Sequence, residues 1–178
     1  MQNYFIDRIL TSPNKVLVGL DISGNPIAKR TLAGDDLTKL VHLALNKSIA
    51  IAIHAGESDS ERERQDTDAV LTALEQWKSL HPGEDKNPLH GKVRLGHCIF
   101  LTQEQKDRIK KLGIPIEVCP SCHSKLNWHL EKDPHPTTLI YQDLSEPVVL
   151  GTDDELIFDG SVKNEFNRLL SFFQIRSN

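Results

Sequence analysis

Ile49-Ala50-Ile51-Ala52-Ile53-His54-Ala55-Gly56-Glu57 is the stretch on which the fold of this 178-residue chain turns. Its apolar run is brief, nearly continuous and rich in isoleucine, which predicts a strand buried on both faces, as in a parallel sheet. The run stops at a histidine followed three residues later by a glutamate. Four other runs have the same character: Val16–Leu20, Val93–Leu95, Ile114–Val118 and Val148–Leu150. Between them the apolar period becomes helical. Leu37, Leu40, Val41, Ala44 and Leu45 form one stripe, and Ala69, Val70, Ala73, Leu74 and Trp77 another. Thr102 and Gln105 make a capping-box pair that opens a third helix, and Gly113 ends it. A short helical turn is expected at Thr137–Tyr141. A last helix is expected near Glu165–Phe173, with Phe166, Leu169, Leu170 and Phe173 on one face. Strand and helix alternating five times predict a parallel α/β fold.

The totals suit one soluble domain. Hydrophobic residues make up 38% and charged residues 26%, with 21 basic against 25 acidic side chains and a net charge of −4. Without a basic run, a dedicated nucleic-acid surface is not expected. Leu80–Lys92, rich in Pro, Gly and charge, reads as an exposed excursion rather than a linker, and Gln174–Asn178 as a fraying end. Three cysteines, Cys98, Cys119 and Cys122, are too few and odd in number for a disulfide framework, so a reducing, cytoplasmic setting is expected. Asp7 and Arg8 interrupt the first ten residues, which do not read as a signal peptide. No stretch approaches the length of a membrane span.

The polar residues that carry chemistry cluster just after the strands. Asp21 and Gly24 follow the first, His54 and Glu57 the second, His97 the third, Cys119 the fourth, and Asp153 and Asp154 the fifth. In a parallel barrel all strands open on one face, and that face carries the active site. A lone histidine or an Asp-Asp pair has ordinary structural uses, as a hydrogen-bonded core residue or a helix cap. Three strand ends carrying His/Glu, His and Asp/Asp supply metal ligands, a carboxylate and an imidazole able to take a proton.

Taken in order, His54-Ala55-Gly56-Glu57, Arg94-Leu95-Gly96-His97, Glu117-Val118-Cys119-Pro120 and Thr152-Asp153-Asp154 resemble the successive strand-end motifs of the adenosine deaminase family. Gly19-Leu20-Asp21-Ile22-Ser23-Gly24 resembles the motif before them. With Gly24-Asn25-Pro26, it is most similar to the branch of adenosine deaminase-like and methyl-AMP deaminases. The resemblance implies a (β/α)8 barrel with one catalytic zinc, of which this chain holds about the last five parallel strands. It implies His54 and Asp153 as zinc ligands and Glu57 as the acid that protonates a purine ring nitrogen. His97 would be the base for the attacking water, Asp154 the group that orients it, and the Gly24 N–H a donor to another ring nitrogen. The implied reaction is hydrolytic deamination of adenosine or an adenosine monophosphate, methyl-AMP included. The implied partner is therefore a small purine nucleoside or nucleotide, with neither nucleic acid nor membrane.

The family's other two zinc ligands form a His-x-His pair on the first barrel strand, and no His-x-His occurs in this sequence. Residues 1–178 are therefore expected to be a truncated catalytic domain, lacking the first three strands and the final helices, with apolar barrel-facing residues uncovered and self-association through the open edges. The alternative from a different class is a catalytically inactive partial barrel that acts as an interaction module. Glu155 stands where the family often has Pro, and Ser121-Cys122-His123 where it often has a Ser-Asn pair. Cys119-Pro120-Ser121-Cys122-His123 also fits a haem-attachment pattern, or half of a structural zinc site completed by His129 and His135. The plainer reading is a buried strand-end thiol at Cys119 followed by a loop.

Overall fold

Five short strands pair side by side, all parallel and in chain order: β1 (Gly19–Ile22), β2 (Ala50–Ala55), β3 (Val93–His97), β4 (Ile116–Val118) and β5 (Val148–Leu150). The computed structural model describes residues 8, 11, 18–24, 34–82, 87–126 and 148–174. The strand order never reverses. Crossovers between parallel strands are right-handed, so successive helices fall on the same side of the sheet. Helix α1 (Gly34–Asn46) packs against β2 and α2 (Glu61–Leu80), and α2 packs in turn against α3 (Gln103–Leu112). The chain therefore forms an arc of a (β/α) barrel, with helices on the convex side and the strand ends opening together.

Local chemistry sets the element limits. Ser60 caps α2 by accepting from the Glu63 N–H. Thr102 and Gln105 make the expected reciprocal box at the start of α3, and Gly113 closes that helix in the left-handed region at φ 65°. β4 begins only after Pro115, which has no N–H to give the ladder but whose carbonyl accepts from Leu95 N. β1 begins at Gly19, and residues 16 and 17 lie outside the described residues, as does the expected turn at Thr137–Tyr141.

The strands are not buried on both faces, which corrects the expectation from their apolar runs. In β2, Ile51, Ile53 and Ala55 are buried, whereas Ala50 is exposed and Ala52 and His54 are half-buried. In β3, Val93 and Leu95 are buried and Arg94 is exposed. The buried set packs with Val41, Leu45, Leu71, Leu74 and Ile109 of the helices in one continuous core. The concave face is lined by small residues, a few charged ones and the exposed Val149. It presents Gly19, Asp21, Ala50, Ala52 and Arg94 along a hollow of about 510 Å³. Arg94 Nε bonds Glu117 Oε2 at 2.7 Å across it. Alanine in the inward positions of β2 lengthens the apolar run without adding bulk, so the run reads as doubly buried while only one face meets helices. On these strands the lining combines Gly, Ala and an ion pair with the uncovered side chain of Val149.

The segment after Cys119 is not a loop. Pro120–Leu126 forms helix α4, and Ser121, Cys122 and His123 are buried in it. Beyond β5 lie a short helix α5 (Glu155–Phe158) and the last helix α6 (Val162–Gln174), which packs against α4. The buried face of α6 differs from the expected apolar stripe. Glu165 and Leu169 are buried, while Phe166 and Leu170 are exposed, and the Phe173 side chain lies outside what is described. The reason is a specific bond: Glu165 Oε2 accepts the Ser121 N–H at 2.7 Å, which turns the carboxylate toward the start of α4.

The one-residue alternation of β2 gives a direct check. Ile53→Ala on the helix side, where Ile53 is 1% exposed, is expected to cost about 3–4 kcal/mol. Ala52→Ser on the concave side is expected to stay within about 0.5 kcal/mol of the parent. Urea denaturation of both variants decides it, and equal costs would mean that the register is slipped by one residue.

Candidate active site at the carboxyl ends of the strands

Two adjacent strand ends are tied together by backbone before any side chain is considered. β2 runs into Gly56, held at φ 59°. The Gly56 carbonyl accepts both Ile99 N (3.0 Å) and Phe100 N (2.8 Å), and the Ala55 carbonyl accepts Cys98 N at 2.9 Å. A Cβ on Gly56 would stand 2.9 Å from Leu101 Cδ2, a contact that a small shift of that side chain could relieve, so it is the left-handed conformation that calls for glycine. On the β3 side, His97 and Cys98 are both left-handed, at φ 65° and 54°. Such a conformation costs a non-glycine residue on the order of 1–3 kcal/mol and persists only where the surroundings impose it.

That turn decides where the His97 ring goes. His97 lies opposite Ala55 in the ladder and follows Val93 and Leu95 by strand alternation, so a regular strand would send it among the helices. Instead His97 Nε2 stands 3.0 Å from His54 Nδ1. Its other nitrogen, Nδ1, stands 3.1 Å from Nε2 of the fully buried His123 in α4. Three imidazoles thus form a row running from the cleft into the core.

Carboxylates surround the open end of this row. Glu57 Oε2 lies 3.6 Å from His54 Nδ1 and 3.7 Å from His97 Nε2, and Asp21 Oδ1 lies 3.5 Å from His54 Nε2. Helix α2 holds the Gly56-Glu57 turn from outside: Gly56 N donates to Thr67 Oγ1 (3.1 Å) and Glu57 N to Glu63 Oε1 (3.2 Å). The bond to Glu57 raises the His54 pKa above its ordinary value against an opposing effect of burial, with the Asp21 carboxylate adding to the rise. The same bond lowers Glu57. Burial lowers His97 and raises Glu63.

Asp153 arrives from β5, again in the left-handed region at φ 55°. With Asp21, His54, Gly96, His97 and Glu117 it lines a cleft of about 90 Å³ at the strand ends. Gly151 leaves space for the neighbouring side chains of Glu117 and Cys119, since a Cβ there would come within 2.6 Å of Glu117 Oε1 and 3.1 Å of Cys119 Sγ. Among the described residues, two sets of groups have donor atoms within 4.8 Å of one another: His54, Glu57 and His97, and His97, Cys122 and Asp153. Nitrogen, oxygen and sulfur donors of this kind suit a zinc-like ion. The thiols carry no charge of their own here: burial pushes Cys119 up to about 12, and burial together with the Asp153 carboxylate pushes Cys122 higher still.

The structure therefore brings His54, Glu57, His97 and Asp153 to one end of the sheet. Asp154 stands beside the cleft as the exposed residue preceding α5, without a side-chain capping bond. Gly24 is exposed two residues beyond β1, at the same end of the sheet. Glu63 and Thr67 shape the site without having been singled out for it, Asp21 joins it although only its place after the first strand was noted, and Cys122 and His123, noted in the sequence as candidate ligands, lie within it. Asp21 was legible from parity, since it sits opposite Ala52 on the inward face. Nothing local points to His123, which reaches His97 from 26 positions away. His129 and His135 lie outside the described residues.

With this geometry in place, the comparisons with known proteins are specific. A profile described as Adenosine deaminase matches residues 6–177. The Adenosine deaminase-like protein of Drosophila melanogaster is 30% identical over 155 residues, covering 86% of this chain and 38% of that protein. The N6-mAMP deaminase of Arabidopsis thaliana is 30% identical over 152 residues, covering 84% of this chain and 36% of that protein. A crystal structure of the Arabidopsis N6-mAMP deaminase shares the fold, with a TM-score of 0.72 at 22% identity over 96% of this chain and 44% of that one. An Arabidopsis structure complexed with IMP matches at a TM-score of 0.71 and 21% identity. The chain spans less than half the length of each of these proteins.

The opposed shifts of His54 and Glu57 set a pH window for the metal-free chain. Glu57 is lowered, so its contribution to stability is present above the ordinary 4.5 and is lost as pH falls through its folded value. His54 is raised, so its contribution is complete below 6.5 and is lost as pH rises through its folded value. Glu57→Gln should therefore destabilise by about 1 kcal/mol more at about pH 5.5 than at about pH 8.5. Loss of the Glu57 charge also makes His97 harder to protonate, which acts in the same direction. Thermal melts across pH test this, and a pH-independent loss would mean that the two groups do not form an ion pair.

Proposed function

Because the chain belongs to the adenosine deaminase family, we propose that its strand-end cluster is part of a site for hydrolytic deamination of adenosine or an adenosine monophosphate. The observation that carries this reading is the convergence of His54, Glu57 and His97, from the ends of two adjacent parallel strands, within 4.8 Å. The relatives named N6-mAMP deaminase, and the IMP-bound Arabidopsis structure, favour a nucleotide with a small alkylamino group over a free nucleoside. IMP is the product that such a nucleotide would give. Residues 1–178 are read as one part of a single catalytic domain.

The donors suit zinc, with His54 and Asp153 as the residues that would hold it. A zinc ion there would supply Lewis acidity that makes water a competent nucleophile near neutral pH. The remaining work falls to side chains of this chain. His97 accepts the proton of the attacking water and later delivers it to the leaving amine. Glu57, charged beside His54 in the free chain, takes up a proton on substrate binding and donates it to the purine ring nitrogen beside the attacked carbon, which makes the ring accept the oxygen. Asp154 orients the water, and the Gly24 N–H binds a second ring nitrogen. Water adds to the carbon, the carbon–nitrogen bond breaks as the amine takes the proton from His97, the hydroxyl proton returns to Glu57 as the carbonyl forms, and ammonia or an alkylamine departs.

A catalytic zinc normally has three protein ligands, and the family's His-x-His pair does not occur in this sequence. A second reading, an interaction module without turnover, is favoured by the open concave face along Gly19, Ala50 and Arg94. One assay separates the two. The 178-residue chain alone is expected to release no ammonia or methylamine from AMP or N6-methyl-AMP above background. A chimaera that places the preceding strands of the Arabidopsis relative ahead of this chain is expected to turn over. Glu57→Gln in that chimaera should lower turnover by at least about a thousandfold while zinc remains bound. A folded, zinc-loaded chimaera without activity would favour the interaction module.

A further inference from the structure

His97, Cys122 and Asp153 reach one another from three separate elements, the end of β3, the first turn of α4 and the turn after β5. Their donor atoms all lie within 4.8 Å of each other. Metal–ligand bonds of about 2.0–2.3 Å in a tetrahedral site put ligand atoms roughly 3.3–3.8 Å apart. Side-chain adjustments of about 1 Å would therefore close the three around one ion. We propose that Cys122 supplies a thiolate ligand, and that His97, Cys122 and Asp153 together hold a divalent transition-metal ion within this chain alone.

The surroundings are built for such a ligand set. A metal-bound histidine normally has its other ring nitrogen held by a neighbour, which fixes the tautomer and the ring. His97 has that arrangement: His123 Nε2 stands 3.1 Å from Nδ1, which leaves Nε2 to face the cleft. One thiolate, one carboxylate and a neutral imidazole balance a divalent charge. Asp153 is exposed, which gives the ion a way in, while Cys122 is 1% exposed and shielded from oxidants. When the ion binds, the S–H proton passes to solvent and a sulfur–metal bond takes its place. Sulfur favours zinc, cobalt or cadmium over magnesium or calcium.

This site shares the strand-end cluster with the deaminase reading and reassigns one of its members. His97 cannot bind an ion through Nε2 and accept a proton there at the same time. Metal loading through Cys122 is therefore a resting or storage arrangement for the chain by itself, not the arrangement that turns over substrate.

The test uses the reduced, metal-free chain titrated with cobalt(II) and followed by absorption. One equivalent is expected to give intense visible bands of a tetrahedral ion and a near-ultraviolet thiolate-to-cobalt band. Cys122→Ser should abolish the thiolate band and weaken binding at least about tenfold, whereas Cys98→Ser and Cys119→Ser should keep both. Asp153→Asn should weaken binding to a similar extent. X-ray absorption of the zinc-loaded parent chain should show a sulfur neighbour, which keeps the test open if Cys122→Ser does not fold. No cobalt binding, visible bands without the thiolate band, or a thiolate band that survives Cys122→Ser would each overturn the proposal. Cobalt binding that depends on His54 and Asp153 but not on Cys122 would overturn it while leaving the deaminase reading intact. An inactive chimaera with a Cys122-dependent thiolate band would sink the deaminase reading alone.

Discussion

The double hydrogen bond onto the Gly56 carbonyl is the constraint on which the cluster depends. It joins the end of β2 to the turn after β3 through Ile99 N and Phe100 N, and Cys98 N reinforces it at Ala55. Only with that join in place can His97 and Cys98 be held in the left-handed region, at a cost that an isolated strand end would not sustain. Helix α2 then braces the other side, where Thr67 accepts the Gly56 N–H and Glu63 the Glu57 N–H. Both helix residues are buried and polar, and both spend their hydrogen-bonding capacity on backbone. Two strained turns and one helix therefore fix His54, Glu57 and His97 relative to one another without any contact among their own side chains being required.

The electrostatic result is a set of groups with opposed tendencies in a small volume. Glu57 is stabilised as an anion and His54 as a cation, each chiefly by the other. His97 is driven toward the neutral form by burial, and the thiols of Cys119 and Cys122 are held protonated for the same reason. An ion placed among His54, His97, Cys122 and Asp153 would replace protons on several of these groups at once. The cluster is thus suited to exchange protons for a metal ion, whichever ligands dominate.

The division of the sheet into two unlike faces follows from curvature. On the convex side the branched residues Ile51, Ile53, Val93, Leu95, Ile116 and Val118 meet helices and form the core. On the concave side neighbouring strands converge, and Gly19, Ala50 and Ala52 leave room for the Arg94–Glu117 pair and for the strand-end cleft. The fold is the family's, but these strands reach less than half of the length of the relatives that share it. In this chain the titratable groups that come together lie at the ends of β2, β3 and β5.

Much of this was legible in the linear order of residues. Short Val- and Ile-rich runs alternating with helical stripes specify a parallel α/β sheet, because burial on the helix side selects branched residues wherever the chain runs. The strand-end positions of His54, Glu57, His97 and Asp153 followed from the same reading, since each stands immediately after an apolar run. The capping box at Thr102 and the stop at Gly113 are local chemistry and needed no tertiary information. What alternation could not tell was which face of a strand is covered, because Ala50 and Ala52 look apolar in sequence and lie on the open side. Nor could it place the His97 ring, whose strand parity points to the helices and whose left-handed turn, imposed by bonds from Gly56, sends it to His54. Cys122 and His123 stood out in the sequence as part of a Cys-x-x-Cys-His pattern, with a loop as the plainer reading, and the docking of α4, with Glu165 bonded to the Ser121 N–H, brings them to the cluster. Sequence alone determined the elements and the residues at their ends, because those depend on neighbours a few positions away. Tertiary structure decided which of those residues meet, because that depends on backbone bonds and burial between segments that are distant in the chain.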